Sequence, residues 1–292
     1  MNAHGFTSLK EVSRYQVVPE KKYDVSILVR MKNEAENLPF FIDSLKRQEF
    51  PLDYEVVFLD SGSDDDSIKI CQESLIPHRI YSIDSSEFNF STTCNLLTEY
   101  SQSDYCILLS AHVEIIGKNF FHCLRDLIYK DINLAYFRQV VNHNCGYNMY
   151  EAINLKRRFP SLQESPSLKY TNAHRKGHSF SNAGSMYKRD IAINNPFPVV
   201  MASEDFLWAE SIISLGHALH YIPDVMIAHS HNESYEKITA RVRVNKISRF
   251  GVKPKPIHAL IKFILIISCL VMSGENVKVA YNTAKSHAKG YI

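Results

Sequence analysis

Three apolar runs in the first 112 residues each end in a polar cluster. Val25-Ser26-Ile27-Leu28-Val29-Arg30 leads into Lys32-Asn33-Glu34, and Tyr54-Glu55-Val56-Val57-Phe58-Leu59 leads into Asp60-Ser61-Gly62-Ser63-Asp64. Tyr105-Cys106-Ile107-Leu108-Leu109 leads into Ser110-Ala111-His112. Continuous apolar runs of this length fit strands buried on both faces, as in parallel sheets covered by helices. Open sheets of that kind bind ligands outside the carboxyl ends of their strands. The polar clusters therefore belong on one rim, where an active site is expected.

Helical spacing fills the intervals. Leu38, Phe41, Ile42 and Leu45 recur at i, i+3, i+4, i+7, with Pro39 suited to a first turn. Ser63 to Asp66 offer caps for a helix over about 65–75. A short strand is expected near His78–Ile83, a helix at about 91–101, and another around Phe120, Leu124, Leu127 and Ile128. The alternation predicts an α/β fold with right-handed crossovers. Beyond residue 131 the pattern is less regular. It holds a strand candidate at Leu134–Val141, loops around Asn142–Gly146 and Ser161–Gly177, a helix starting near Ser203, and a strand at His220–Val225 or Ile227. Residues 1–22 are polar and read as a loose arm. No domain boundary is visible before about residue 232.

The chain has 292 residues, 45% of them hydrophobic, enough for a substantial core. A net charge of +2 carries no polyelectrolyte signal, and nucleic acid is not an expected partner. Six cysteines without a C-x-x-C pair fit reduced thiols better than a disulfide framework. Met1 to Lys10 has no apolar core of a signal peptide, so a cytoplasmic location is expected. Ile257 to Met272 is apolar except for His258, Lys262 and Ser268, but at 16 residues it falls short of the ~20 that span a bilayer. Lys237, Arg241, Arg243, Lys246, Arg249, Lys253 and Lys255 precede it. Two readings stand: peripheral contact of 237–272 with the inner face of a membrane, or a core or dimer helix behind a solvated basic one.

Four constellations offer chemistry. Asp60-Ser61-Gly62-Ser63 suits a base-binding carboxylate on a Gly turn, and equally a plain capping turn. His112 at a strand end suits a metal or phosphate ligand, or a structural histidine. Glu204-Asp205 opens a helix with Ser203 before it as a cap, where acids ordinarily complement the helix dipole; a fixed carboxylate there also suits a general base. His229-Ser230-His231 follows a strand, and alternate residues of an extended segment share a face, which suits metal ligation or a polar loop. The H-x-E of His112–Glu114 lacks the P-C-x-x-C of zinc deaminases. Neither G-x-G-x-x-G nor a Walker A sequence is present, which removes dinucleotide and P-loop enzymes.

In this order the pieces resemble the family 2 glycosyltransferases, and within them the bacterial rhamnosyltransferase-like branch that builds capsule and lipopolysaccharide glycans. The matching stretches are VSILVRMKNEAENL (25–38), VVFLDSGS (56–63), Phe88 through His112 with Asn95 inside it, FSNAGSMYKR (180–189), PFPVVMASEDFLW (196–208) and Gly216–His231. The resemblance implies a GT-A fold, with a mostly parallel Rossmann-like sheet flanked by helices. It divides the chain into an arm (1–22), a catalytic domain (23–232, nucleotide half about 23–130, acceptor half about 131–232) and a C-terminal helical segment (233–292). It implies an inverting transfer from a UDP- or dTDP-sugar to a hydroxyl of a glycan or lipid-linked acceptor. By position it gives Arg30, Glu34, Asp60, Asn95, Ser110, Arg241 and Arg243 to the nucleotide sugar. Asp205 falls at the base with Glu204 beside it, and His112, His229 and His231 at a Mn²⁺ or Mg²⁺ ion. Ser110-Ala111-His112 replaces the usual Asp-x-Asp, which leaves a second reading, a catalytically inactive scaffold that binds nucleotide or glycan.

Overall fold

The computed structural model describes residues 5–49, 52–161, 169–170, 177–231, 233–251 and 256–292. Its strands are β1 (Lys10–Tyr15), β2 (Val25–Met31), β3 (Tyr54–Asp60), β4 (His78–Ser82), β5 (Tyr105–Ser110), β6 (Glu114–Ile116), β7 (Leu134–Val140), β8 (Lys169–Tyr170), β9 (Gly184–Lys188) and β10 (Leu219–Ala228). They form one sheet in the order β1-β4-β3-β2-β5-β9-β7-β10-β6, with β8 paired to β10. The helices are α1 (Leu38–Lys46), α2 (Ser67–Gln72), α3 (Phe90–Tyr100), α4 (Phe120–Tyr129), α5 (Met149–Arg158), α6 (Arg189–Asn194), α7 (Glu204–Ser214), α8 (Tyr235–Phe250), α9 (Pro256–Met272) and α10 (Val277–Lys289).

Period-two alternation along the central strands divides the core. Val25, Ile27, Val29 and Met31 of β2 join Val56 and Phe58 of β3 and Ile107 and Leu109 of β5 against α1, α2 and α4. The intervening Leu28, Val57, Leu59, Cys106 and Leu108 face α3, α6 and α7. Every one of these side chains is at most 1% exposed apart from Met31, so both faces are covered and the strands read as unbroken apolar runs. Leu38, Phe41, Ile42 and Leu45 of α1 are all buried, as their spacing requires. Trp208 of α7 is fully buried against Phe197, with ring centroids 4.3 Å apart, and its indole N–H donates to the Asn195 carbonyl at 2.6 Å.

Three expectations change. The mostly parallel sheet is parallel in β4-β3-β2-β5 and again between β7 and β10, but β9 enters antiparallel between β5 and β7, and β1, β6 and β8 pair antiparallel too. The N-terminal stretch is not a loose arm throughout: β1 caps the sheet edge against β4, and Phe6 and Val17 are 5% exposed. Ser203 does not cap α7. It sits at φ 63°, and its hydroxyl instead meets Asn245 and Arg249 of α8, each at 3.0 Å. Most of the loop expected at 161–177 and two of the basic residues, Lys253 and Lys255, lie outside the described residues.

The C-terminal helices form a small annex. Ile266 and Leu270 of α9 pack on Ala280 and Ala284 of α10, with Tyr150 and Ile153 of α5 alongside. The C-terminal end of α10 lies close to α8, where a Cβ on Gly290 would meet Val242 at 2.6 Å.

Candidate functional site

Parallel register aligns the strand ends. Met31 pairs with Asp60, and Arg30 with Ser110. Two adjoining clefts open there, of about 310 and 480 Å³, sharing Arg30, Phe90, Ser110 and His112 as their common wall. The smaller is lined by β-strand ends together with Glu34, Ser61 and Phe88. The larger runs toward α5, α7 and α8 and holds Glu204, Asp205, His229, His231 and Arg241.

The three histidines converge from distant segments. His112 follows β5; His229 and His231 follow β10. Their ligand atoms all lie within 4.8 Å of one another, and the ring centroids are 4.7–5.0 Å apart. Glu34 Oε1 accepts from His112 Nδ1 at 2.9 Å, and Gln139 Oε1 accepts from His229 Nδ1 at 3.1 Å. Those oxygens accept, so each ring carries a proton on Nδ1 and Nε2 is the nitrogen left to meet a ligand. His112 Nε2 is buried without a hydrogen-bond partner. Burial, then the neighbouring His231 and His112, hold His229 well below the ordinary imidazole pKa. Burial, then His112 and Arg241, depress His231 to about 3. Converging, oriented imidazoles with an unpartnered nitrogen fit a divalent cation. The donors are all imidazole nitrogen, which suits a transition-metal ion better than Mg²⁺, a cation of oxygen sites.

The two acids separate by environment. Glu204 is 5% exposed, accepts from Asn182 Nδ2 at 3.1 Å and lies 3.5 Å from the Arg30 guanidinium. Burial, then Asp205, raises its pKa. Asp205 is half-buried and, among the described residues, accepts only backbone N–H groups, from Asn182 at 3.3 Å and Phe206 at 2.7 Å. Asp205 is thus the carboxylate left for a ligand. Arg30 also donates to the Phe90 carbonyl at 2.8 Å, with its guanidinium 5.1 Å from the Phe90 ring centroid.

Other sequence-derived candidates are placed differently. The Asp60 carboxylate accepts from Gly62 and Ser63 within its own turn, and Ser61 lines the cleft in its stead. Asn95 uses both ends of its amide on the backbone of Phe197, at 2.8 and 3.1 Å, and is absent from the lining of both clefts. Arg241 lines the larger cleft and pairs with Glu233 at 2.7 Å. Arg243, two residues on, falls on the other side of α8 and reaches toward the Lys289 carbonyl at the end of α10. Glu114 turns to Arg47 and Asn144, because β6 reverses away from β5.

Some residues escaped the sequence reading. Gln139 sits at the end of β7, where the strand-end rule alone would have found it. Asn182, beneath both acids, lies within FSNAGSMYKR. Glu151 of α5 accepts from the His231 backbone N–H at 3.0 Å, and burial lifts its pKa to about 7. No local pattern marks it, since α5 is a polar helix.

Comparison with known proteins bears on the family and the fold. O-antigen chain rhamnosyltransferase RfbN of Salmonella typhimurium (strain LT2) is 24% identical over 226 residues, 71% of this chain and 67% of RfbN. S. aureus TarS 1–349 in complex with UDP aligns with a TM-score of 0.58 at 13% identity, over 83% of this chain and 71% of that one. Mannosyltransferase PcManGT from Pyrobaculum calidifontis, in complex with GDP-Man and Mn²⁺, aligns at 0.58 and 14% identity, over 96% and 73%. These likenesses establish the GT-A fold. The family model "Glycosyl transferase family 2" matches residues 26–193, more than half the chain, from within β2 through β9, so the chain belongs to glycosyl transferase family 2.

Proposed function

We propose that the chain is an inverting glycosyltransferase that moves a sugar from a UDP- or dTDP-sugar to a hydroxyl of a glycan or lipid-linked acceptor in bacterial surface polysaccharide synthesis. The observation that carries this reading is the shared wall between the clefts. A nucleoside fits the smaller cleft, where Arg30, Glu34, Ser61 and Ser110 offer polar contacts, and the acceptor fits the larger one beside Asp205. The diphosphate then lies between Arg30 and the three histidines.

Asp205 takes the proton of the acceptor hydroxyl. The oxygen bonds to the anomeric carbon as the bond from that carbon to the diphosphate oxygen breaks, and the electron pair leaves with the nucleoside diphosphate. One displacement inverts the configuration. Glu204 and Asn182 keep Asp205 and Arg30 in place, so positioning supplies much of the rate, and removal of the proton by a fixed base adds ~10²–10⁴-fold. His112, His229 and His231 would hold a divalent metal, which supplies positive charge for the departing diphosphate. Arg30 on the shared wall and Arg241 in the larger cleft contribute fixed positive charge.

The replacement of Asp-x-Asp by Ser110-Ala111-His112 favours the inactive-scaffold reading. The oriented histidine cluster and the accessible Asp205 oppose it. Asp205→Asn separates the two. Transfer or donor hydrolysis is expected to fall at least ~10²-fold while nucleoside diphosphate affinity is retained. A parent protein with no transfer and no hydrolysis across nucleotide sugars, with and without Mn²⁺, would instead establish the scaffold.

A further inference from the structure

The annex carries an apolar stripe that nothing among the described residues covers. Ile257, Leu260, Ile261, Ile264, Leu265 and Met272 recur along α9 at i, i+3, i+4, i+7, i+8 and i+15, and each is at least 48% exposed. The opposite face of α9 is the one packed on α10, through Ile266 and Leu270. Among the described residues no helix is long and apolar enough to cross a membrane, and α9 has 17 residues. A helix with one apolar face open and the other anchored in protein suits an interface, where it lies in the plane.

Charge identifies what the stripe meets. Residues 233–292 hold eleven Lys and Arg against three Asp and Glu, a net of +8, while residues 1–232 hold twenty-two against twenty-eight, a net of −6. The modest overall charge therefore hides a strongly basic annex. A second copy seated on the stripe would bring two such annexes together and repel. An anionic lipid surface attracts them, each basic residue near it adding to the affinity. We propose that α8, α9 and α10 form a docking surface for anionic lipid, with the α9 stripe entering the interfacial layer and the basic residues around it meeting the headgroups.

The placement relates this surface to the cleft. Thr239 of α8 donates its hydroxyl proton to the Ser286 carbonyl of α10 at 3.0 Å. Arg241 and Asn245 of α8 and His287 of α10 line the larger cleft. The docking annex is thus one wall of the acceptor side, and an acceptor held in the bilayer would approach from that wall. The docking itself does not depend on the transfer reaction.

Co-sedimentation of the full chain with vesicles tests this. Binding is expected to phosphatidylcholine vesicles containing phosphatidylglycerol, with much weaker binding to phosphatidylcholine alone. The double change Ile261→Glu and Leu265→Glu should cut partitioning about tenfold or more. Lys278→Glu with Lys285→Glu, both exposed on α10, should weaken binding and flatten its salt dependence. All four positions are solvent-facing, and unchanged thermal melting of the variants would confirm folding. Protein left in the supernatant with anionic vesicles at low salt, or variants that sediment like the parent, would overturn the proposal. So would a solution dimer that the Glu variant splits, since that assigns the stripe to a second copy. None of these outcomes bears on nucleotide binding or on Asp205, which are read separately.

Discussion

Glu34 shows how one side chain sets another's chemistry. Its Oε1 fixes the tautomer of His112 while Oε2 accepts from Asn37 Nδ2 at 2.8 Å, so the carboxylate is itself held. Such outer partners raise the basicity of a ligating imidazole, and their loss commonly costs 10–100-fold in metal affinity. Glu34→Gln is therefore expected to weaken Mn²⁺ binding by about 10–100-fold in calorimetric titration. His112→Ala should remove it altogether. Equal Mn²⁺ affinity in Glu34→Gln and parent would show that the carboxylate serves the nucleotide directly. The same scale explains what was misread. Asn95 lies in a stretch that resembles the family and Arg243 follows the last of them, but a linear motif does not say which way a side chain turns. Helical geometry turns Arg243 away from Arg241, and the Phe197 backbone claims Asn95.

At the scale of elements, the nucleotide half is held by a buried ion pair between neighbouring strands. Glu55 of β3 is 0% exposed and Arg79 of β4 is 5% exposed. Arg79 donates to Glu55 Oε2 through Nη2 at 2.6 Å and Nε at 3.0 Å. Glu55 Oε1 accepts from Ser26 Oγ at 2.6 Å and from the Gln102 N–H at 2.7 Å, tying β2 and the turn before β5 to the pair. Removing one partner strands a charge in the core. Arg79→Met should cost about 3–5 kcal/mol in urea unfolding, and adding Glu55→Gln should recover part of that loss. A loss below about 1 kcal/mol would show that water reaches Glu55 in the variant. The elements that were legible, β2, α1, β3 and β5, are those whose burial is uniform along a strand or helix. The helix α5 and strand β9 were not, because α5 buries only Leu155 of its ten residues and β9 carries Gly and Ser in a strand.

At the scale of the whole molecule, ligand binding should stabilise the fold as one unit. UDP or dTDP at about 100 times Kd adds about 2.7 kcal/mol to the native state, which thermal melting resolves easily. The proposed function expects that shift to grow when Mn²⁺ is present and to lose its metal dependence in His229→Ala. A purine nucleotide giving the larger shift would reassign the donor base, and Mg²⁺ matching Mn²⁺ would dissolve the argument from the nitrogen donors.

The order of hydrophobic and polar positions was enough to determine the α/β architecture and the strand ends, because burial on both faces leaves its mark residue by residue; the family was legible only through the resemblance of the motif stretches. It also located the short list of acids and histidines that matter. Tertiary structure alone decided that His112, His229 and His231 meet, that Glu204 rather than Asp205 is consumed by Arg30, and that one face of α9 stays open. Those outcomes depend on contacts between segments more than a hundred residues apart, and local periodicity carries no record of which distant surface a side chain will face.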